Sequence, residues 1–269
     1  MPVHYELADD HVVWITIDRP HARNSLDMEH FAQLRGAWER FDAEEAAWVA
    51  IVTGVGDAFC TGADLKTYIP QVTAMQRRMK DEQTDVIDGY RLDDGIKAVL
   101  RGVKIYKPII AAVNGVCVAG GMEMLGGCDL RVAVPEATFA VMEPKRGLFA
   151  GGGTTVRLPR QIAFPAAMEF LLCADRIPAE RAFAMGLLNE VVPTEELREV
   201  ALRYAHRITV NGPFAVRKTK ESVLRGLATD MHEAYRIESE ISAEVFSSED
   251  AKEGPAAFAE KRAPRWTGR

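Results

Sequence analysis

The sequence lacks the residue patterns that mark metalloproteins and disulfide-bonded proteins. Its four cysteines, at Cys60, Cys117, Cys128 and Cys173, form no CxxC pair, and its six histidines form no HExxH pair. We therefore expect no zinc or other metal site. Each cysteine lies among apolar or small residues, which predicts buried free thiols and favours a reducing compartment.

Long apolar runs and an excess of positive charge are also missing. The longest apolar stretch, near residues 108–119, contains Asn114 and Gly115 and is too short to span a bilayer. The polar, acidic first ten residues do not resemble a secretory signal. With 33 Lys and Arg against 39 Asp and Glu, the net charge of −6 makes nucleic acid and anionic membranes poor partners. We expect a cytoplasmic protein.

Strands and helices alternate in the first part of the chain. Apolar, β-branched runs predict buried strands at 12–17, 48–54 and 108–115, and two shorter ones at 131–134 and 138–142. Apolar residues at helical spacing predict a helix over 28–42, with Asp27 as its N-cap.

From about residue 165 the pattern becomes almost wholly helical. It predicts helices near 165–173, 179–186, 195–209, 213–226, 229–247 and 251–260. Together with the preceding strands, this order predicts an α/β core followed by a C-terminal helical region. Periodicity alone leaves a doubly wound parallel sheet as an alternative for the core.

Three segments combine glycine with a carboxylate in apolar surroundings. In the first, AFCTGADL (58–65), Gly62 permits a tight turn, and Ala63 is small enough to leave its backbone N–H open to a ligand. Taken alone, this segment is more simply a strand-to-helix loop with Asp64 as an N-cap.

The second segment, NGVCVAGGMEMLGGCD (114–129), places Gly120 and Gly121 just before a predicted helix. Bare N–H groups at a helix N-terminus attract anions, so the pair is a candidate oxyanion site. Glu123 falls in the first helical turn, where the helix dipole favours its charge. The alternative is an ordinary helix start with an acidic residue in its first turn.

In the third segment, FAVMEPKRGLFAGGGTT (139–155), Glu143 follows four apolar residues. Burial would raise its pKa and keep the carboxyl protonated as a general acid. The alternative is a strand-end carboxylate paired with Lys145 or Arg146. The three glycines at 151–153 lack the lysine of a P-loop, which indicates a role in turns and packing.

Together these segments resemble the crotonase, or enoyl-CoA hydratase/isomerase, family. The resemblance begins at RPHARNSLD (19–27), includes AFCTGADL, AAVNGVCVAGGMEM and the stretch 139–160, and ends at SSEDAKEGPAAFAEKRAPRWTGR (247–269). It implies a spiral of ββα units over residues 1–195 and a C-terminal helical trimerisation region over 196–269. It also implies a homotrimer or a dimer of trimers.

The resemblance also implies roles for particular residues. The two oxyanion N–H groups of the family match Ala63 and Gly120, and its two acid/base glutamates match Glu123 and Glu143. Coenzyme A is part of the substrate, and no separate cofactor is implied. The matching coenzyme A contacts are Ala22, Arg23, Thr61, Gly62, Ala63, Asp64, Leu65 and Gly121, with Phe258 and Lys261 reaching the coenzyme A of a neighbouring subunit.

Because both glutamates are present, the resemblance favours hydration of a trans-2-enoyl-CoA to a 3-hydroxyacyl-CoA. Isomerisation, dehydration of a hydroxyacyl or carnitinyl thioester, and decarboxylation share the oxyanion hole and stay open. A non-catalytic or RNA-binding relative is a further alternative, but the basic run Arg77, Arg78 and Lys80 is followed at once by acidic residues. The stretch between Ala63 and Asn114 is longer than in short-chain hydratases of the family, which leaves the acyl length open.

Overall fold

The computed structural model describes residues 2–8 and 10–269. Its strands are β1 (Val3–Leu7), β2 (Val12–Ile17), β3 (Val49–Gly54), β4 (Ala58–Cys60), β5 (Val86–Ile87), β6 (Tyr90–Arg91), β7 (Ile109–Val113), β8 (Val116–Val118), β9 (Leu130–Ala133), β10 (Thr138–Ala140), β11 (Ile177–Pro178) and β12 (Glu190–Val191). Its α-helices are α1 (Met28–Ala43), α2 (Tyr68–Glu82), α3 (Asp94–Ala98), α4 (Gly120–Leu125), α5 (Thr154–Gln161), α6 (Phe164–Met168), α7 (Ala179–Ala184), α8 (Leu197–Thr209), α9 (Pro213–Gly226), α10 (Met231–Phe246) and α11 (Glu249–Glu260).

The larger sheet has the strand order β1-β2-β3-β7-β9-β12. Strand β1 is antiparallel to β2, and every later pair in this sheet is parallel. Strands β2, β3 and β7 are almost wholly buried, which explains why each is a continuous apolar run rather than an alternating one. The strands predicted at 12–17, 48–54 and 108–115 are confirmed.

A second, smaller sheet has the strand order β11-β10-β8-β4. Strands β4, β8 and β10 are parallel, and the register pairs Cys60 with Cys117 and Ala140 with Val118. Because β4 and β8 run side by side, the chain leaves both strands at the same edge of the sheet. The division into two sheets rules out the doubly wound alternative, and the predicted α/β class is confirmed.

Helix α1 begins where the sequence predicts. The Asp27 carboxylate accepts a hydrogen bond from the His30 N–H, which caps the helix. The buried face of α1 includes Phe31, Leu34, Trp38 and Phe41, and the Trp38 indole N–H donates to the carbonyl of Ala98 at the end of α3. Helix α1 thereby fixes α3.

Most of the chain from residue 197 to residue 260 is helical, as the sequence predicts, but the short strands β11 and β12 interrupt the stretch after residue 165 that is predicted to be almost wholly helical. Helix α8 packs against β3, β7 and β9, while α9 and α10 pack against each other. The caps of α10 and α11 are the side chains of Asp230 and Ser248. None of the described helices is long and apolar enough to cross a membrane.

The prediction that all four thiols are buried is wrong for Cys173. The other three thiols are buried, whereas Cys173 is exposed. It ends a π-helical turn over 169–173, and the chain then reverses through Ala174 in the left-handed conformation. The apolar neighbour Leu172 is exposed as well, so the local sequence gave a misleading impression of burial.

Candidate active site

A cavity of about 580 Å³ opens where β4 and β8 end. Its size falls in the range typical of small-molecule sites. Helices α1, α2 and α3 contribute apolar side chains to one wall, including Phe31, Tyr68 and Ile96. The predicted site residues that line it are Ala22, Arg23, Thr61, Ala63, Leu65, Gly120, Glu123 and Glu143.

The predicted residues Gly62 and Gly121 lie behind the cavity wall. A Cβ atom on Gly62 would lie 2.6 Å from the Gly120 nitrogen, and one on Gly121 would collide with the Cys60 carbonyl oxygen. Gly62 also has a φ of +83°, which favours glycine. Both glycines therefore let the segments that follow β4 and β8 touch.

Asp64 turns its carboxylate away from the cavity. It accepts hydrogen bonds from Arg19 at 3.0 Å and from the Lys66 N–H at 3.0 Å. The N-cap position of α2 is Thr67. The interpretation of Asp64 as a helix cap is therefore wrong, because its side chain bonds to Arg19 and to the Lys66 N–H within the loop instead.

Phe258 and Lys261 lie at the end of α11 and do not line this cavity. Phe258 is 87% exposed, and Lys261 is exposed in a left-handed C-cap conformation. Within the single chain, then, the structure does not bring them to the other predicted residues. Their predicted contact with the coenzyme A of a neighbouring subunit stays a prediction.

The backbone N–H groups of Ala63 and Gly120 belong to neighbouring residues of the cavity wall. Leu26 donates to the Gly62 carbonyl at 2.8 Å and accepts from the Asp64 N–H at 2.8 Å, so the N–H of Ala63, which lies between them, points away from Leu26. Gly120 is the first residue of α4, and a Cβ atom placed on it would lie 3.7 Å from the Ala63 nitrogen.

Neither of these N–H groups donates a hydrogen bond within residues 2–8 and 10–269. Ala119, directly before Gly120, has the unusual backbone angles φ 50° and ψ −120°. Such strain persists only where the surroundings enforce it. Two neighbouring free donors at a cavity wall are suited to one oxygen atom on which negative charge develops.

Glu123 is buried, with 9% of its surface exposed, and its Oε1 accepts a hydrogen bond from the Gly152 N–H. Burial raises the pKa of Glu123 to about 7, and the charge of Glu143 adds to this effect. The Gly152 hydrogen bond and the positive charge of Arg157 oppose it. A Cβ atom at residue 152 would displace the Glu123 carboxylate from its present position.

Glu143 is the second carboxyl of the cavity. Burial raises its pKa above the usual range, and its Oε2 is buried without a hydrogen-bond partner in the described part of the chain. Lys145 instead pairs with Asp175, and Arg146 donates to the Met142 carbonyl at 3.2 Å. The alternative in which Glu143 pairs with one of these cations is therefore wrong.

Sequence reasoning missed two residues that hold Glu123. One is Gly152, which was assigned only to turns and packing. The other is Arg157 of α5, whose Nη1 donates to the carbonyl oxygens of Glu123 at 3.0 Å and Val99 at 3.1 Å. A lone arginine in a helix carries no signal in the sequence that would reveal these partners.

The family described as Enoyl-CoA hydratase/isomerase matches residues 8–269. The chain belongs to this family. It is 41% identical over 259 residues to "Enoyl-CoA hydratase EchA19" of Mycobacterium tuberculosis, covering 96% of this chain and 94% of the relative. It is 37% identical to "(E)-benzylidenesuccinyl-CoA hydratase" of Thauera aromatica over the full length of both proteins.

Solved structures of the family share the fold. The enoyl-CoA hydratase from Bacillus anthracis is 33% identical, covers 100% of both chains and gives a TM-score of 0.88. An enoyl-CoA hydratase from Mycobacterium tuberculosis is 37% identical, with a TM-score of 0.86 over 100% of this chain and 99% of the other. The predicted family and its crotonase fold are confirmed.

Proposed function

We propose that this member of the family is an enoyl-CoA hydratase, which adds water to a trans-2-enoyl-CoA to give a 3-hydroxyacyl-CoA. One observation carries the proposal: the buried carboxyl of Glu123 and the half-buried carboxyl of Glu143 share a cavity with the free N–H groups of Ala63 and Gly120. Family relatives named as hydratases support the same reaction.

The two N–H groups would hold the thioester oxygen. As water adds to C3 of the substrate, electrons move onto this oxygen and form an enolate. The donors of Ala63 and Gly120 are fixed before the reaction, so they stabilise the new charge without reorganising. One such donor contributes about 3–4 kcal/mol to the transition state of a related reaction.

The two carboxyls would move the protons. Glu123 takes a proton from water as its oxygen bonds to C3, and Glu143 gives a proton to C2 as the enolate collapses. Burial raises the pKa of both carboxyls, to about 7 for Glu123, so each group can gain or lose a proton nearer neutral pH than an exposed glutamate does. The roles reverse for dehydration, and exchange with solvent restores both groups.

Coenzyme A would lie along the loop at Ala22 and Arg23 and the segment Thr61 to Leu65. It enters as part of the substrate, and this chemistry uses no separate cofactor. We further propose that residues 196–269 form the contacts of a trimer or a dimer of trimers. In that assembly, Phe258 and Lys261 contact the coenzyme A of a neighbouring subunit.

A panel of trans-2-enoyl-CoA esters of rising chain length tests the proposal, with loss of the enoyl absorbance as the readout. Glu123→Gln and Glu143→Gln should each lower kcat by about 10²–10⁴. Glu238→Gln, an exposed carboxyl of α10, is the matched control and should leave kcat unchanged. The assignment is wrong if both site variants stay within a few-fold of the wild type.

Product identification separates hydration from the other reactions of the family. A 3-hydroxyacyl-CoA product supports the proposal, whereas a shifted double bond or loss of CO₂ would replace it. RNA binding gains no support from α2, because Arg78 is paired with Glu82 and Asp88 rather than free for phosphate. Salt-dependent RNA retention on a filter would overturn this view.

A further inference from the structure

Arg19 lies outside the cavity lining, behind the segment that carries Ala63. Only 14% of its side-chain surface is exposed. Its Nη1 lies 3.0 Å from each of three acceptors: the Ser25 carbonyl, the Ser25 hydroxyl and the Asp64 carboxylate. Its Nη2 lies 3.5 Å from the Asp27 carboxylate. One guanidinium thus joins three residues from two segments.

These partners flank the backbone pairing that orients the Ala63 donor. Leu26 bonds to the residues on either side of Ala63, and Ser25 and Asp27 are the neighbours of Leu26. Asp64 follows Ala63 directly. Arg19 therefore binds both segments of the Leu26–Ala63 pairing from outside the cavity. Its planar guanidinium has several N–H donors and can bond to several acceptors at once.

The positive charge of Arg19 also separates two carboxylates. Although burial alone would raise the pKa of Asp27 and of Asp64, hydrogen bonds to each, together with the charge of Arg19, lower both pKa values. Both groups are therefore anions at neutral pH. Without a cation between them, they would repel each other across the Leu26–Ala63 pairing.

The loop that carries Arg19 is anchored on its other side. The Arg19 N–H donates to the Asn24 side chain at 2.9 Å. The buried amide of Asn24 in turn donates to the carbonyls of Val55 at 2.9 Å and Ala58 at 2.6 Å. The loop is thereby tied to both ends of the turn before β4, while the Arg19 side chain ties it to the turn after β4.

We infer that Arg19 is a positioning residue that fixes the direction of the Ala63 N–H toward the thioester oxygen. The inference rests on the proposed hydratase function. Loss of one oxyanion donor lowers kcat by about 10²–10³. A donor that is present but turned away from the oxygen should cause part of this loss. An Arg19 variant should therefore lower kcat about 10- to 100-fold.

The test compares Arg19→Met and Arg19→Lys, using the enoyl-CoA that turns over fastest. Both should lower kcat by a larger factor than they raise KM, because the buried Asn24 amide still anchors the loop that carries Ala22 and Arg23. Lysine should rescue little, since a point charge cannot reach Ser25, Asp27 and Asp64 together. The matched control is Arg40→Met, whose arginine pairs with Glu44 and stacks on Tyr5 away from the cavity.

A second readout follows the donor itself. Bound cinnamoyl-CoA absorbs at longer wavelength when its thioester oxygen is polarised, so this red shift should shrink in both Arg19 variants and persist in Arg40→Met. Full red shift with wild-type kcat would overturn the inference, as would lowered thermal stability with the red shift intact. If Arg19→Met fails to fold, Arg19→Lys carries the same test. If the wild type hydrates no enoyl-CoA, the red shift still reports on Arg19, so the two failures are distinguishable.

Discussion

Replacing Glu123 with glutamine should stabilise the folded protein at alkaline pH. The carboxyl is buried, and burial raises its pKa from 4.5 to about 7. At about 1.4 kcal/mol for each pH unit, this difference corresponds to about 3 kcal/mol that opposes ionisation in the folded state. Glutamine removes the charge and keeps an oxygen for the Gly152 N–H.

The gain should depend on pH in a defined way. Below pH 4.5 the carboxyl is protonated in the folded and unfolded states, so the charge of Glu123 does not lower the free energy of unfolding. Between pH 4.5 and about 7 the unfolded chain binds fewer protons than the folded one, so the stability of the wild type declines as the pH rises. Above pH 7 the full cost, at most about 3 kcal/mol, is present.

Urea unfolding of the wild type and Glu123→Gln at pH 5 and pH 8, followed by tryptophan fluorescence, measures this difference. The exposed Glu238→Gln control should change the free energy of unfolding by less than about 0.5 kcal/mol at either pH. A gain of equal size at both pH values, or a loss at pH 8, would refute the reasoning, because either result means that charge burial is not the cost at Glu123.

Three further predictions concern pH, backbone space and thiols. The hydration kcat/KM should rise with pH through about 7 as Glu123 loses its proton; a flat profile from pH 5.5 to 8 would argue against its role as base. Gly62→Ala should lower Tm, and it should lower kcat at least about tenfold, because the new Cβ atom would collide with the Gly120 nitrogen and residue 62 has a positive φ. The control is Gly36→Ala, in an open position of α1, which should leave kcat unchanged. An aromatic disulfide reagent should modify Cys173 in the native protein and the other three thiols only after unfolding, and rapid modification of more than one thiol would contradict the burial described above.

The elements that could be predicted carry their own local signals. Helices α10 and α11 begin after Asp230 and Ser248, whose side chains accept N–H hydrogen bonds in the first turn. The buried strands of the larger sheet are long enough to show apolar runs. Strands β4 and β8 have three residues each, too few to show alternation, and their pairing joins segments about 60 residues apart.

The segment between Ala63 and Asn114 resisted prediction for a related reason. The buried residues of α2, Met75 and Met79, pack in a small cluster with the β5–β6 hairpin rather than in the main core. A helix that buries so little apolar surface shows a weak periodic signal. Its position depends on contacts that are formed only in the folded chain.

The candidate site was predictable where chemistry lies in side chains. Glu123 and Glu143 stand out as carboxyls in apolar surroundings, and the family resemblance supplied their pairing. The contact between Glu123 and Gly152 could not be read from the sequence, because it uses a backbone N–H supplied from 29 residues away. A glycine shows no functional group, and its neighbours are fixed only by the tertiary fold.

The parallel pairing of β4 and β8 has a consequence for how such enzymes diversify. Ala63 and Gly120 leave adjacent strands, so the hydrogen-bond spacing of the sheet, about 4.8 Å, sets the distance between the two segments. The apolar wall, with Tyr68 and Ile96, comes from α2 and α3, outside that sheet. Mutations that accumulate in α2 and α3 would therefore change the shape of the apolar wall, while the spacing of Ala63 and Gly120 stays the same.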